Sequence, residues 1–217
     1  MENTFFTQKD DRYYNMEKSW IVSKIPEGSH KVLDLGCATG QLGRKLFQLK
    51  KASEVIGVEI FKPAAEEAAK FYTFVHQGDV ESMSLNYDHY FDYVICGDIL
   101  EHLRDPWTMV AQIYNWLNSK GAIICSIPNI RYWQILRDLI LFGKWNYTEA
   151  GILDNTHLRF FTRRTFLEIL ENAQFHIEYN DMWISGKKKN LANKVTFGFF
   201  KEFLGSQVMV VASKKAG

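Results

Sequence analysis

The chain has 217 residues, enough for one large domain or one domain with a small appendage, and it needs no disulfide or metal staple to bury a core. Hydrophobic residues make up 47% and charged residues 24%, which excludes wholesale disorder. Lys plus Arg is 26 and Asp plus Glu is 25, for a net charge of +1, so a chain-wide attraction to nucleic acid or anionic lipid is excluded.

The front of the chain, Arg12 to Lys24, reads as a lead-in helix. Val32-Leu33-Asp34-Leu35 then reads as a strand that stops at Gly36, with a helix from Gln41 to Lys50 behind it. Val55 to Val58 stops at Glu59, and Pro63 opens an Ala- and Glu-rich helix to Phe71. Phe74-Val75-His76 stops at Gly78-Asp79, and Phe91 to Cys96 stops at Gly97-Asp98. Pro106 suits the first turn of a helix to Leu117, and Ala122 to Cys125 is a fifth strand closed by Pro128. β-branched runs that end on glycine and alternate with helices predict βαβ units, a parallel sheet and right-handed crossovers.

After Pro128 the pattern changes. Tyr132 to Phe142 reads as an amphipathic helix inserted behind the fifth strand, and Asp154 to Thr162 is polar and aromatic. Thr162 caps a helix over Arg163 to Asn172. His176 to Trp183 and Gln207 to Ala212 are two more strands, separated by Lys187-Lys188-Lys189, read as a solvated loop, and a helix-like run to Leu204. No repeat or linker is visible, so one domain over residues 1–217 is expected, with residues 1–30 as lead-in and 130–162 as an insertion or lid. Cys37, Cys96 and Cys125 show no CxxC spacing, which predicts neither disulfides nor a zinc site and fits a reduced, cytosolic compartment. Met1 to Tyr14 does not read as a signal peptide, and the apolar runs are too short to span a bilayer, so no membrane partner is expected.

Asp34, Glu59, Asp79 and Asp98 stand where four successive strands stop. In an open parallel sheet, ligands bind outside the carboxyl ends of the strands, so these acids are expected to line one negative crevice above the turn Gly36 to Gly40. That turn lacks the Gly-Lys-Ser/Thr ending of a phosphate-cradling loop. Ala38-Thr39-Gly40-Gln41-Leu42-Gly43 is a dinucleotide glycine triplet with its first member replaced, which keeps a nicotinamide-dependent oxidoreductase as an alternative. A carboxylate at Asp34 gives a pyrophosphate no help, and a cationic ligand fits better.

Val32-Leu33-Asp34-Leu35-Gly36-Cys37-Ala38-Thr39-Gly40 closely resembles the first motif of the class I S-adenosylmethionine-dependent methyltransferases. Glu59, Gly78-Asp79 and Gly97-Asp98 fall where the later motifs of that family fall. Asp98 to Leu103, followed by Asp105-Pro106, resembles a segment of its small-molecule branch. The resemblance implies a Rossmann-like α/β fold: a seven-stranded, mostly parallel sheet with its last strand antiparallel, helices on both faces and a helical insertion after strand five. It implies S-adenosylmethionine as cofactor. Gly36, Cys37, Ala38 and Gly40 would pass under its methionine part and Asp34 would reach its ammonium group, directly or through water. Glu59 would take both ribose hydroxyls, with Ile60 beside it, and Asp79 the adenine amino group, with the Val80 N–H on a ring nitrogen. Gly97 and Asp98 complete the cofactor set. The plain structural reading of the same acids is helix capping in βα loops.

Methyl transfer is an in-line displacement, so the protein mainly aligns nucleophile and methyl group and excludes water. His102 is the first candidate for proton removal, with Glu101 lining the cofactor or capping a short helix. His157 and Arg159 lie two apart in a segment that resembles enzymes of sugar and surface-glycan pathways; extended, they would share one face and hold a hydroxylated or anionic substrate. The structural alternative is an ion pair of Arg159 with Asp154. Asn129 either touches substrate or shapes a turn, and the aromatics around Tyr132, Trp133, Phe142, Trp145 and Tyr147 either form a lid or pack as core; Tyr13 and Tyr14 could close over the cofactor. The Asp/Asn-Pro-Pro-aromatic tetrad of base-directed methyltransferases is replaced by Gly97-Asp98-Ile99-Leu100, and no Cys follows a Pro. A nucleic-acid substrate is therefore not expected, and neither is a metal. The expected reaction is methylation of a small molecule at oxygen; the remaining alternative is a binding module of the same fold without turnover.

Overall fold

The computed structural model describes residues 19–215. Residues 19–24 are helical, and the expectations for Arg12 to Lys18, including Tyr13 and Tyr14, lie outside the described residues. Seven strands form one sheet: β1 (Lys31–Leu35), β2 (Glu54–Glu59), β3 (Phe74–Gln77), β4 (Phe91–Gly97), β5 (Leu117–Pro128), β6 (Phe175–Trp183) and β7 (Gln207–Lys214). Their order is β3-β2-β1-β4-β5-β7-β6. The first five strands pair parallel, and β7 enters antiparallel between β5 and β6.

The helices that cross between strands are α1 (Gln41–Gln48), α2 (Lys62–Ala68) and α3 (Pro106–Trp116); α4 (Trp133–Phe142) and α5 (Arg163–Asn172) follow β5. Period-two alternation in β1 decides what lies on each face. Leu33 and Leu35 join Val110, Ile113, Phe166 and Leu170 in one core, while Val32 joins Leu42, Leu46, Ala68 and Tyr72 in the other. Asp34 follows the parity of Val32, so its carboxylate goes to the Tyr72 side of the sheet. Thr162 caps α5 as expected, in a capping box with Thr165.

Two expectations fail here. Lys187, Lys188 and Lys189 are not a loop but open α6 (Lys187–Val195), which the short α7 (Lys201–Leu204) follows. The fifth strand starts at Leu117 rather than Ala122, because Leu117 pairs with Phe91 before the register shifts to Tyr93 with Ala122. α4 buries none of its residues, and Ile140, Leu141 and Phe142 stand exposed.

Candidate functional site

At the carboxyl edge of β1 the chain turns sharply. Gly36 and Ala38 take left-handed backbone angles, φ 72° and 47°, and the N–H groups of Gly36 and Cys37 both donate to the Val58 carbonyl at 2.9 and 3.1 Å. A Cβ on Gly36 would lie 2.8 Å from Ile99 Cδ1, so only glycine fits between the turn and the residue after Asp98. Gly40 has another duty: a Cβ there would meet the Ala68 Cα at 2.7 Å, so it lets α2 approach rather than opening space for a ligand. The Cys37 thiol is likewise turned inward, 2.6 Å from where a Gly57 Cβ would be, and burial, aided by Asp34 and Glu59, pushes its pKa up.

Glu59 closes β2 and faces this turn. Its Oε2 accepts from the Ala38 N–H at 2.9 Å and its Oε1 from the Phe61 N–H at 2.8 Å. Beside it Ile60 stands 66% exposed, an apolar plate next to a carboxylate. Asp79, two residues past β3, accepts from Arg104 Nη2 at 2.9 Å and from the Glu81 N–H at 2.9 Å. Arg104 also reaches Glu81, whose carboxylate receives the N–H groups of Arg104 and Asp105 at 3.0 and 2.8 Å. Val80, beside Asp79, is buried.

The four acids do not behave alike. Asp34 is 5% exposed and accepts from the Tyr72 hydroxyl at 2.5 Å; that hydroxyl in turn accepts from the Gly43 N–H at 3.1 Å. Burial first, then Asp34, drives the Tyr72 pKa well up, so Tyr72 stays a donor. Asp98 follows Gly97 at the end of β4 with φ 50°, and its Oδ1 accepts from Gln207 Nε2 at 2.6 Å, which ties the crevice to the start of β7. Glu59 is thus bound to the glycine turn and Asp79 to Arg104, while Asp34 is buried against Tyr72 and Asp98 is tied to Gln207. Sequence reasoning missed Tyr72, Arg104 and Gln207, which no local spacing marks.

Beyond Asp98 a 3-10 turn, Leu100–His102, presents Glu101 and His102. The 154–161 segment docks onto it: the Glu101 carbonyl accepts from the N–H groups of Leu158 and Arg159 at 2.8 and 3.0 Å. That docking brings the His157 and His102 rings to 4.7 Å between centroids, with His157 Nε2 3.9 Å from Glu101 Oε1. Glu101 and His157 are buried; His102 is half-buried.

The shared-face expectation for His157 and Arg159 is wrong. The segment is not extended: His157 turns into the fold with Phe160, 6.3 Å between centroids, while Arg159 donates to the Arg104 carbonyl and lies 5.8 Å from the Trp107 ring. Arg159 lines a separate hollow of about 300 Å³ between α3 and α5. Asp154 accepts from Thr156 instead of pairing with Arg159. Asn129, fully buried, donates to the carbonyls of Glu202 and Gly205 at 2.7 and 2.8 Å, so it shapes the chain. Under α4 lies a cavity of about 390 Å³ lined by Tyr132, Ile135, Lys144, Thr148 and Ile152; the Ile152 carbonyl is the partner of His157 Nδ1 at 3.0 Å.

Residues 10–180 match the profile of a methyltransferase domain family. The chain belongs to that family. A ubiquinone biosynthesis O-methyltransferase of Pseudomonas entomophila is 26% identical over 118 residues, covering 51% of this chain and 50% of that protein. The chain thus spans about half the length of the curated relatives it matches. An S-adenosylmethionine-dependent methyltransferase from Mesorhizobium loti superposes with a TM-score of 0.65 at 17% identity, over 90% of this chain and 96% of that one. The [4+2]-cyclase SpnF superposes at 0.66 with 16% identity, over 95% and 83%. These structures establish the class I methyltransferase fold alone, and SpnF shows that the fold does not dictate the reaction. S-adenosylmethionine is the cofactor of this family; at and just past the ends of the adjacent strands β2 and β3 the chain carries the carboxylates of Glu59 and Asp79, with the exposed Ile60 beside Glu59. Among the described residues no helix is long and apolar enough to cross a membrane.

Proposed function

We propose that this domain transfers the methyl group of S-adenosylmethionine to a hydroxyl oxygen of a small molecule. The observation that carries the reading is Glu59: its two oxygens are anchored by the Ala38 and Phe61 N–H groups, which fixes a carboxylate over the glycine turn with acceptor capacity left for two hydroxyls. In this reading Glu59 holds the ribose, Ile60 covers the adenine, and Asp79 with the Val80 backbone reads its edge. Gly36, Cys37 and Ala38 supply backbone under the methionine part. Asp34 is too deep for direct contact and acts on the ammonium group through a water; Gly97 and Asp98 wall the sulfonium side, and Gly40 contributes only by packing.

Bound there, the sulfonium supplies an already activated methyl carbon. The chain's own work is to hold the acceptor oxygen in line, keep water out and remove the hydroxyl proton. In this reading the acceptor hydroxyl gives up its proton beside Glu101, His102 and His157, and the cavity under α4, which adjoins them through Ile152, receives the body of the acceptor. Arg159 faces the other hollow and is left out of this chemistry. The name of the Pseudomonas relative, an O-methyltransferase, supports oxygen as the acceptor atom.

Calorimetric titration of the full chain with S-adenosylhomocysteine tests the reading. Micromolar binding is expected, weakened about tenfold or more by Asp79→Ala, since adenine donors are stranded. No heat at millimolar ligand would overturn it. Incubation with methyl-labelled cofactor and a small-molecule extract should then move label into an acceptor; label that stays on the cofactor would reduce the domain to a binding module.

A further inference from the structure

We propose that Glu101, His102 and His157 form a binding site for a divalent transition-metal ion. One ligand atom from each residue can be chosen so that all three lie within 4.8 Å of one another, and the three side chains come from two segments remote in the chain. His157 Nε2 and Glu101 Oε1 are 3.9 Å apart, too far for a hydrogen bond but within the separation of two donors that each sit about 2.0–2.2 Å from a shared ion.

The outer contacts fix the tautomers. His157 Nδ1 faces the Ile152 carbonyl at 3.0 Å, and a carbonyl only accepts, so Nδ1 carries the proton and Nε2 the lone pair. His102 Nδ1 faces Thr156 twice, the carbonyl at 3.3 Å and Oγ1 at 3.1 Å. The Thr156 hydroxyl gives its own proton to Asp154 Oδ1 at 2.7 Å, so toward His102 it accepts. Both imidazoles are thus locked by an Nδ1–H to an oxygen, the arrangement that orients ligating histidines toward a metal through Nε2. Glu101 and His157 have side chains 2% and 3% exposed, so an ion held between them is shielded from water. Two imidazoles and one carboxylate favour ions such as Zn²⁺, Co²⁺ or Mn²⁺ over Ca²⁺ or Mg²⁺.

His102 is half-buried, so on that side the ion would be least enclosed. Its use in catalysis rests on the methyl-transfer reading: an acceptor hydroxyl held at the ion loses its proton to solvent more readily, its oxygen bonds to the methyl carbon, and the carbon–sulfur bond breaks with its electron pair left on sulfur. Ion binding itself does not depend on that reading.

The test is titration of chelator-treated full-length protein with Co²⁺, followed by calorimetry and by the visible Co²⁺ absorption, with far-UV circular dichroism as the sign of an intact fold and S-adenosylhomocysteine binding measured in parallel. One ion per chain is expected. Glu101→Gln, His157→Gln and His102→Asn should each weaken it at least tenfold; His102, being half-buried, keeps the test open if the two buried variants do not fold. Thr156→Val, outside the ligand set, should weaken it less. A folded protein that takes up no Co²⁺, or equal affinity in wild type and His102→Asn, overturns the proposal. Co²⁺ uptake without S-adenosylhomocysteine binding would keep the metal site and remove the methyl-transfer reading.

Discussion

Glu59→Gln puts the central assignment at risk with one atom. The change turns one oxygen into an NH₂, which must face the N–H of either Ala38 or Phe61. A buried donor left without an acceptor costs about 1–3 kcal/mol, and the surviving bond drops from charge-assisted to neutral strength, about 1 kcal/mol more. The total, about 2–4 kcal/mol, falls on the glycine turn and on ribose binding together. In a domain of this size the stability part, about 1–2.5 kcal/mol once binding has taken its share, lowers Tm by roughly 2–10 °C. The binding part raises the Kd for S-adenosylhomocysteine about tenfold, since about 1.4 kcal/mol corresponds to a factor of ten. Thermal unfolding and calorimetric titration on the same preparation read both. Unchanged Tm would refute the anchoring argument. A lowered Tm with unchanged Kd would refute the ribose assignment, leaving Glu59 as a staple for the turn.

Tyr72→Phe removes the hydroxyl between Asp34 and the Gly43 N–H, so urea unfolding should show a loss of about 2–4 kcal/mol; a loss under 0.5 kcal/mol would mean that water replaces it. Thr162→Ala dissolves the capping box of α5 and should cost about 1 kcal/mol by the same measurement, with cofactor affinity unchanged. The Glu81 carboxyl is held below its ordinary pKa of 4.5: burial alone would raise it, but the N–H groups of Arg104 and Asp105 and the Arg104 side chain prevail. A lowered carboxyl pKa contributes stability above the unfolded value that is lost as pH falls through the folded one. Stability titrated downward from pH 5 should therefore fall less steeply in Glu81→Gln than in the wild type, and parallel curves would contradict the assignment.

The sequence by itself determined the βα alternation, the glycine turn at Gly36, the cap at Thr162 and the placement of acids at strand ends, because each depends on residues within a few positions of one another. Strand parity was equally local, yet which face held a partner for Asp34 was not: Tyr72 reaches it only because α2 packs against Gly40. The joining of His102 to His157, of Arg104 to Asp79, and of Asp98 to Gln207 was decided by tertiary structure alone. So was the failure of the His157–Arg159 face, since the segment bends to give its N–H groups to the Glu101 carbonyl instead of continuing as a strand. Local pattern fixes where backbone bonds go within an element; which distant side chains meet depends on how insertions fold back over the sheet, and that is set by burial and hydrogen-bond satisfaction across the whole molecule.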